Sequence, residues 1–341
     1  MKVVVAAPNG PNEEWGALKQ AGHEIVFGQI DRNLGGRLSD GELIELCQGA
    51  DLLVSLHVSR QVVEALPELT TIVGPAVGTE KIAIDAATEN NILVCHSPSR
   101  ENVIGVAEAS IGMMLALTKR VKRKEARLRD GEWGQRVDRG FLMWGKTVGL
   151  IGLGRTGGGV ARRLMGWDLN VLGCDPYVGQ ERFDQLGVKR VDLETLLHES
   201  DFVSVHVTIT PETTKIINED ALRSMKKTAY LVNTSRGEAV DEKAVCRAIN
   251  EDWVAGVALD VFDPEPLPQD SPLRELDQER VILTPHNVAA SEASRMGNQR
   301  LAMENAIAVL GGIVPHEYVK NPDVLPTWRG AGRYEWLEVT R

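Results

Sequence analysis

The sequence predicts an α/β protein with two doubly wound parallel-sheet domains, and three observations support this fold class. Short apolar strands alternate with helical segments along most of the chain, as in parallel sheets covered by helices. The 341 residues exceed what one hydrophobic core usually organises, so two domains are expected. Near the middle of the chain, a strand runs through a glycine-rich turn directly into a helix.

The first hundred residues repeat the strand–helix rhythm without a glycine-rich phosphate turn. A long apolar helix follows over Val103–Val121, and we place the domain boundary just before it, between residues 100 and 101. The candidate strands of this first part are Val3–Ala7, Glu24–Phe27, Leu52–Ser55, Thr71–Val73 and Ile92–Cys95.

The glycine-rich turn carries a specific chemical signal. The apolar strand Val148–Ile151 leads into a GxGxxG turn formed by Gly152, Gly154 and Gly157. The first glycine permits a tight turn, the second lets the backbone approach a diphosphate, and the third lets the helix pack on the strand. The free N–H groups at the helix start favour an anion. This context predicts a dinucleotide site.

Two further features adjoin the turn. Asp175 follows the next strand, Leu169–Cys174, where a carboxylate accepts hydrogen bonds from ribose hydroxyls and repels a 2′-phosphate, which favours NAD over NADP. The helix is predicted to direct Val160, Leu164 and Met165 toward the sheet. Its start, Gly157-Gly158-Gly159, has poor helix propensity, so this turn is either loose or crowded by a neighbour.

Polar residues end the later strands, at the sheet edge where α/β proteins bind ligands. Each one alone has an ordinary structural explanation, but together they fit the oxidation of a 2-hydroxy acid. His286 is the candidate general base, Glu265 would orient its ring and stabilise the imidazolium, and Arg236 would bind a substrate carboxylate. Backbone N–H groups, for instance those of Val77 and Gly78, are expected to hold the other side of that carboxylate.

Composition argues against other classes of function. The net charge of −10 disfavours nucleic-acid and anionic membrane surfaces. The basic run Lys119–Arg129 is predicted to be the solvated end of the long helix. The N-terminus does not have the pattern of a signal peptide. Four scattered cysteines give no metal-ligand spacing and suggest free thiols in a cytoplasmic protein.

These motifs resemble the D-isomer-specific 2-hydroxyacid dehydrogenases over nearly the whole length. The resemblance is densest in GKTVGLIGLGRTG, HVTITPETTKIIN, LVNTSRGEAVDEKAV, GVALDVFDPEP and TPHNVAAS. It implies an NAD-dependent enzyme acting on a small D-2-hydroxy or 2-keto acid, usually a homodimer. It implies a Rossmann NAD domain at 101–287, inserted into a flavodoxin-like substrate domain formed by 1–100 plus 288–341.

The resemblance also assigns site residues. Arg236, Glu265 and His286 match the catalytic arginine, glutamate and histidine of the family. Besides the three glycines, the matching NAD contacts are Arg155, Thr156, Asp175, Val207, Thr208, Thr213, Thr234, Ser235 and Asp260.

Departures from the family pattern concern the substrate. Gly74 stands where phosphoglycerate dehydrogenases carry a basic residue, which disfavours a phosphorylated acid, and Thr208 replaces a common proline. His57 follows a strand end and is interpreted as a surface histidine rather than a substrate contact. The tail beyond residue 315 is predicted to be irregular, with Trp328 and Trp336 packed on the surface. Alternatives are a non-catalytic NAD-sensing corepressor and a phosphite-type oxidation on the same scaffold.

Overall fold

The computed structural model describes residues 1–6, 15–28, 37–133 and 139–331. The chain divides into two compact units. The first unit comprises Met1–Asn102 with Ser291–Arg341, and the second comprises Val103–Ala290. Both contain a sheet in which every pairing between strands is parallel, so the predicted α/β class is confirmed. Within the described residues, no helix combines the length and apolar character needed to cross a membrane.

The first unit has five parallel strands in the order β2-β1-β3-β4-β5. Ser39 and Ser59 cap its second and third helices by accepting backbone N–H groups, as N-cap residues do. The strands are β1 (Lys2–Ala6), β2 (Glu24–Phe27), β3 (Leu52–Ser55), β4 (Thr71–Gly74) and β5 (Leu93–His96), and the helices are α1 (Gly16–Gln20), α2 (Asp40–Leu46), α3 (Arg60–Ala65) and α4 (Ile84–Glu89).

The second unit has seven parallel strands in the order β12-β11-β10-β9-β6-β7-β8. From β6 the chain first adds β7 and β8 on one side and then β9 to β12 on the other, so the strand order reverses between β6 and β9. Open α/β sheets bind ligands at such a point. The strands are β6 (Thr147–Ile151), β7 (Asn170–Cys174), β8 (Lys189–Arg190), β9 (Phe202–Val205), β10 (Tyr230–Asn233), β11 (Gly256–Leu259) and β12 (Val281–Leu283).

Seven helices flank these strands among the described residues. The first of them begins in the first unit, because α5 contains the division between the two units. The helices are α5 (Arg100–Lys119), α6 (Val121–Arg129), α7 (Arg155–Leu164), α8 (Gln180–Leu186), α9 (Leu193–Glu199), α10 (Glu219–Ser224) and α11 (Glu242–Asn250).

Two predicted helix ends are wrong. The basic run does not continue the long helix, because Arg120 adopts a left-handed conformation (φ 52°) that ends α5 before α6 begins. Met165 does not face the sheet: α7 ends at Leu164, Met165 is extended (ψ 132°), and 61% of its surface is exposed.

The C-terminal segment completes the first unit, and here the prediction for Trp328 is wrong. Helix α12 (Glu292–Leu310) contributes Ala302 and Val309 to the core on one face of the sheet. Trp328 is 3% exposed, and its indole N–H donates to the Thr70 carbonyl at 2.7 Å. Burial of a tryptophan requires such a partner, which lies 258 residues away in sequence. Trp336 lies outside the described residues.

Candidate active site

The glycine-rich turn after β6 is constrained at two of its glycines. Gly152 has φ 91°, and a Cβ there would stand 2.5 Å from the His206 carbonyl oxygen. A Cβ on Gly157 would overlap the Gly152 carbonyl. By contrast, a Cβ on Gly154 would meet nothing within 4 Å, so this side of the turn is open.

Helix α7 starts directly from this turn and leaves its first N–H groups available. Gly154 is the N-cap, no side chain caps the helix, and no acidic residue stands in its first turn. Arg155 is exposed and Thr156 is partly exposed. The open side of Gly154, the uncapped N–H groups and the positive end of the helix dipole together form a setting for a phosphate group.

Asp175 lies beside the turn, as the sequence predicts for the acid that follows the second strand of a dinucleotide site. One carboxylate oxygen accepts the Leu153 N–H at 2.8 Å, and the other accepts the Tyr177 N–H at 2.9 Å. Each carboxylate oxygen has a second lone-pair site, so the group can still accept sugar hydroxyls.

The three consecutive glycines of α7 are buried and crowded, which confirms the second of the two predicted alternatives. A Cβ on Gly158 would overlap the guanidinium of Arg182, a residue of α8. A Cβ on Gly159 would stand 3.2 Å from the Cβ of Ala107. The weak helix propensity of this stretch therefore accompanies close packing by α5 and α8.

The loop after β9 carries Val207, Thr208 and Thr213. The Thr213 hydroxyl donates to the Thr208 carbonyl at 2.6 Å and accepts the Thr210 N–H at 2.8 Å. Thr213 therefore shapes this loop with the same hydroxyl that the family resemblance assigns to the cofactor. Val207 lies against the glycine-rich turn, with its nitrogen 3.5 Å from the position of a Cβ on Gly152.

At the end of β9, His206 is partly exposed as a residue, but both of its ring nitrogens are buried and have no hydrogen-bond partner among the described residues. Burial lowers its pKa to about 4, so the ring is neutral at neutral pH. Both nitrogens are covered by protein atoms, and the His206 Cβ lies 3.3 Å from the position of a Cβ on Gly157, so the residue packs against the glycine-rich turn.

Asn233, at the end of β10, organises the turn that presents Arg236, and the sequence analysis did not single it out. Its side-chain oxygen accepts the Ser235 N–H at 3.0 Å and the Ser235 hydroxyl at 2.8 Å. Its amide nitrogen donates to the Arg236 carbonyl at 2.8 Å. The adjacent Thr234 hydroxyl lies 2.8 Å from that of Ser110 on α5. Asn233 is fully buried. Its place at the end of a predicted strand, directly before Thr234, is the sequence signal that could have identified it.

Glu265 and His286 come together. The Nδ1 of His286 lies 2.8 Å from a carboxylate oxygen of Glu265, and half of the histidine side chain is exposed. The other Glu265 oxygen accepts the Phe262 N–H at 3.1 Å. His286 has φ 52°, a conformation that its N–H bond to the Asp260 carbonyl helps to hold.

Asp260 fixes the segment on either side of His286. Its carboxylate is 4% exposed and accepts the Thr284 hydroxyl at 2.6 Å and the N–H groups of Asn287 and Val288 at 3.0 and 3.1 Å. Three hydrogen bonds on one oxygen give this carboxylate an evident structural role, beside the cofactor contact that the resemblance assigns to it.

The Arg236 turn packs against the turn that carries Glu265. A Cβ on Gly237 would overlap the Phe262 carbonyl group, so only glycine fits between the two turns. The guanidinium of Arg236 donates to the Ser235 carbonyl at 2.7 Å. The second unit thus gathers the Arg236 turn, Glu265 and His286 at the ends of β10, β11 and β12.

Val77 and Gly78, the predicted substrate loop, lie after β4 in the first unit. The Val77 carbonyl lies 2.9 Å from Nδ1 of His96, and a Cβ on Gly78 would overlap the carboxylate of Glu80. Their contact with a substrate stays a prediction. His57 is half-buried. Burial lowers its pKa most, and the positive charges of Lys81 and Arg37 lower it further.

Comparison with known proteins agrees with this geometry. The family model described as the NAD-binding domain of D-isomer specific 2-hydroxyacid dehydrogenases matches residues 111–288. A glyoxylate reductase from Korarchaeum cryptofilum is 39% identical over 284 residues, which cover 81% of this chain and 85% of the relative. This chain belongs to the D-isomer-specific 2-hydroxyacid dehydrogenases. It is an NAD-dependent oxidoreductase of that family, with NAD as its cofactor.

Other members extend the comparison. A D-3-phosphoglycerate dehydrogenase from Methanocaldococcus jannaschii is 38% identical over 291 residues, which cover 84% of this chain and 55% of the relative. The solved D-lactate dehydrogenase from Aquifex aeolicus, in complex with NAD and lactic acid, has a TM-score of 0.77 at 27% identity, covering 94% of this chain and 99% of that chain. The family is therefore common to these relatives, whereas their substrates differ.

The residues of the second unit fit NAD. The open Gly154 and the uncapped start of α7 suit a diphosphate, and the Asp175 carboxylate suits ribose hydroxyls. A 2′-phosphate at Asp175 would meet a like charge, in agreement with NAD rather than NADP.

Proposed function

We propose that this dehydrogenase interconverts a small D-2-hydroxy acid and its 2-keto acid, with His286 as the general acid and base. The observation that carries the proposal is the 2.8 Å contact between His286 Nδ1 and Glu265. A half-exposed histidine held by a carboxylate at the end of a parallel sheet has the arrangement that proton transfer requires.

The Glu265 carboxylate determines the proton positions on the ring. An ionised carboxylate only accepts, so in the neutral imidazole Nδ1 carries the proton and Nε2 presents a lone pair. Nε2 therefore takes the hydroxyl proton of a 2-hydroxy acid, and the imidazolium that forms is stabilised by Glu265. In the opposite direction, Nε2–H protonates the developing alkoxide of a 2-keto acid. The bound cofactor would supply the redox chemistry, taking the hydride as NAD⁺ in the oxidation and returning it as NADH in the reduction.

The proposed binding roles follow the family resemblance. Arg236 offers a planar cation to the substrate carboxylate. Val77 and Gly78, in the first unit, stay predicted substrate contacts through their backbone N–H groups. For NAD we propose the diphosphate at the glycine-rich turn with Arg155 and Thr156, and ribose hydroxyls at Asp175. The remaining proposed contacts are Val207, Thr208, Thr213, Thr234, Ser235 and Asp260.

We propose an unphosphorylated substrate of the size of glyoxylate. Gly74 occupies the position of the basic residue of phosphoglycerate dehydrogenases, and a Cβ there would already stand 3.1 Å from Ile82 Cδ1. A longer basic side chain at this position would have to displace the Ile82 side chain. The relative named glyoxylate reductase, of which this chain covers 85%, supports the same substrate class.

The decisive experiment is NADH oxidation with a panel of 2-keto acids: glyoxylate, hydroxypyruvate, pyruvate, branched and aromatic acids, and phosphohydroxypyruvate. We expect the highest kcat/KM for an unphosphorylated two- or three-carbon acid. A preference for phosphohydroxypyruvate would refute the substrate class. No turnover with any of the acids, while NAD binding is intact, would favour a sensing role. Turnover with phosphite would identify the other alternative.

We also propose that the chain is a homodimer in a cytoplasmic setting. Apolar side chains of the second unit are exposed at Leu128, Trp133, Leu142 and Trp144, with between 59% and 83% of their surface accessible. All four lie between residues 128 and 144, the stretch through which the family resemblance implies that the dimer is joined. Light scattering after gel filtration measures the mass directly, and a monomer would contradict the proposal.

A further inference from the structure

The space above Gly158 is filled by a side chain from another helix. A Cβ on Gly158 would overlap the terminal nitrogen Nη2 of Arg182, which belongs to α8. The neighbouring Gly157 and Gly159 are crowded by backbone and by Ala107, so each glycine accommodates a different neighbour. Gly158 is the one that makes room for a cation.

Arg182 holds the back of the glycine-rich turn. Its Nε donates to the Leu153 carbonyl at 3.2 Å, and its Nη2 donates to the Gly154 carbonyl at 3.1 Å. The Leu153 N–H in turn donates to Asp175 at 2.8 Å. The peptide groups on either side of Leu153 are therefore fixed by a carboxylate and a guanidinium, which orients the N–H groups that follow.

Arg182 uses its guanidinium on two backbone carbonyls. Among the described residues, no carboxylate forms an ion pair with it. It also lies at the start of α7, where the helix dipole is positive and repels a cation. An anion at the same helix end gains from this added positive charge, which favours the anion-bound state over the free one.

We propose that Arg182, seated over Gly158, is a positioning residue for the diphosphate of NAD. It binds the carbonyls of Leu153 and Gly154 from behind and so fixes the turn whose N–H groups meet the diphosphate. It also adds positive potential at that helix end. Arg182 acts through the turn and does not touch the reacting atoms.

The first test compares Arg182→Met with Arg162→Met, which removes an exposed arginine from the last turn of α7. The affinities for NAD and ADP-ribose are measured by calorimetry, and that for adenosine by displacement of NADH fluorescence. We expect Arg182→Met to weaken NAD and ADP-ribose by about tenfold at low salt, with a smaller loss at high salt because the interaction is electrostatic. Adenosine, which lacks phosphate, should bind unchanged, and Arg162→Met should bind all three normally.

The second test uses Gly158→Ala. Because Nη2 is the far end of a flexible side chain, the new Cβ should displace the guanidinium without unfolding the protein, and alanine should strengthen the helix. We expect an unchanged or higher melting temperature without NAD, together with the same loss of NAD affinity. The matched control is Gly112→Ala, at an exposed position of α5 where a Cβ meets nothing within 4 Å.

The double variant Gly158→Ala/Arg182→Met decides whether the two residues act together. We expect it to bind NAD as weakly as Arg182→Met alone, since both changes remove the same guanidinium. Arg182→Lys should restore part of the affinity through its charge. The proposal is overturned if Arg182→Met binds NAD normally, if it weakens adenosine as much as NAD, or if the losses of the double variant add.

Discussion

Each of the two units has its own parallel sheet with helices on both faces, but different residues stand at the strand ends of the two sheets. In the second unit, the ends of β6, β10, β11 and β12 lead to the glycine-rich turn, the Arg236 turn, Asp260 and His286. In the first unit, β3 ends at Ser55 and His57 follows two residues later. The Ser55 hydroxyl donates to the His57 carbonyl and accepts the His57 N–H. Topology thus provides a similar edge twice, and the residues at that edge decide which one carries chemistry.

The two strand-end histidines give the largest expected difference. His286→Ala should lower kcat by about 10²–10⁴-fold, as removal of a general acid and base does, with NAD affinity retained. His57→Ala should change kcat by less than about threefold, because within the part of the chain that the structure describes no carboxylate pairs with its ring as Glu265 does with His286. Steady-state kinetics and calorimetry measure both variants. A His286→Ala enzyme with full turnover would refute the assignment of the base.

The second comparison is the stability cost of adding a Cβ to a glycine in each unit. Gly152→Ala should destabilise the second unit by about 3 kcal/mol, since a Cβ at φ 91° is strained and meets the His206 carbonyl. Gly78→Ala in the first unit should cost less, because its Cβ meets only the flexible end of Glu80. Gly154→Ala, with open space around its Cβ, should fold normally and lose NAD affinity. Urea unfolding and calorimetry distinguish these effects, and equal costs at Gly152 and Gly154 would contradict the geometry.

His206 should make the second unit sensitive to acid. Its folded pKa of about 4 lies below the ordinary 6.5, so the unfolded chain binds the extra proton between these values. Stability is therefore full above pH 6.5 and falls as the pH drops toward 4, with a loss of about 2 kcal/mol at pH 5 from this group. Urea unfolding at pH 7.5 and 5 measures it.

The controls for this pH effect are two substitutions. His206→Asn should lose less stability between pH 7.5 and 5 than the wild type, whatever its stability at pH 7.5. His198→Asn, at an exposed position of α9, should follow the wild type. Equal pH slopes for wild type and His206→Asn would show that burial of this ring does not produce the effect.

The smallest expected effect concerns cofactor choice. Asp175→Ser should weaken NAD about tenfold, because hydrogen bonds to a charged group contribute ~1.5–3 kcal/mol, and should bring NADP closer to NAD in affinity. Asp220→Ser, at an exposed position of α10, serves as the matched loss of charge. Binding of both cofactors is measured by calorimetry. An unchanged preference for NAD over NADP would remove Asp175 from its proposed role.

Features set by local sequence were predictable. The tight turn at Gly152 follows from glycine spacing. The poor helix propensity of Gly157–Gly159 left a loose turn and a crowded one as alternatives, and the structure decides for the crowded one. The contact between Glu265 and His286 could be predicted because parallel strands end at one edge of a sheet, which brings residues distant in sequence together there.

Features set by distant contacts were not predictable. Nothing in the local sequence signals that Arg120 turns left-handed, because the basic run continues a helical pattern on both sides. Trp328 is buried by Thr70 and the core of another chain segment. Arg182 reaches the glycine-rich turn from α8, so its contact with Gly154 depends on the folded sheet rather than on spacing.

The first unit is assembled from both ends of the chain, and this has a consequence for synthesis on the ribosome. One face of its sheet packs on Ala302, Val309 and Trp328, all made after the whole second unit. At ~5–20 residues per second, β1–β5 emerge roughly 10–40 s before the residues that cover them. The second unit, a continuous stretch, can complete its core within that interval. We therefore expect nascent chains to hold a folded nucleotide domain beside an uncovered apolar sheet, which is the stage at which a chaperone has most to protect.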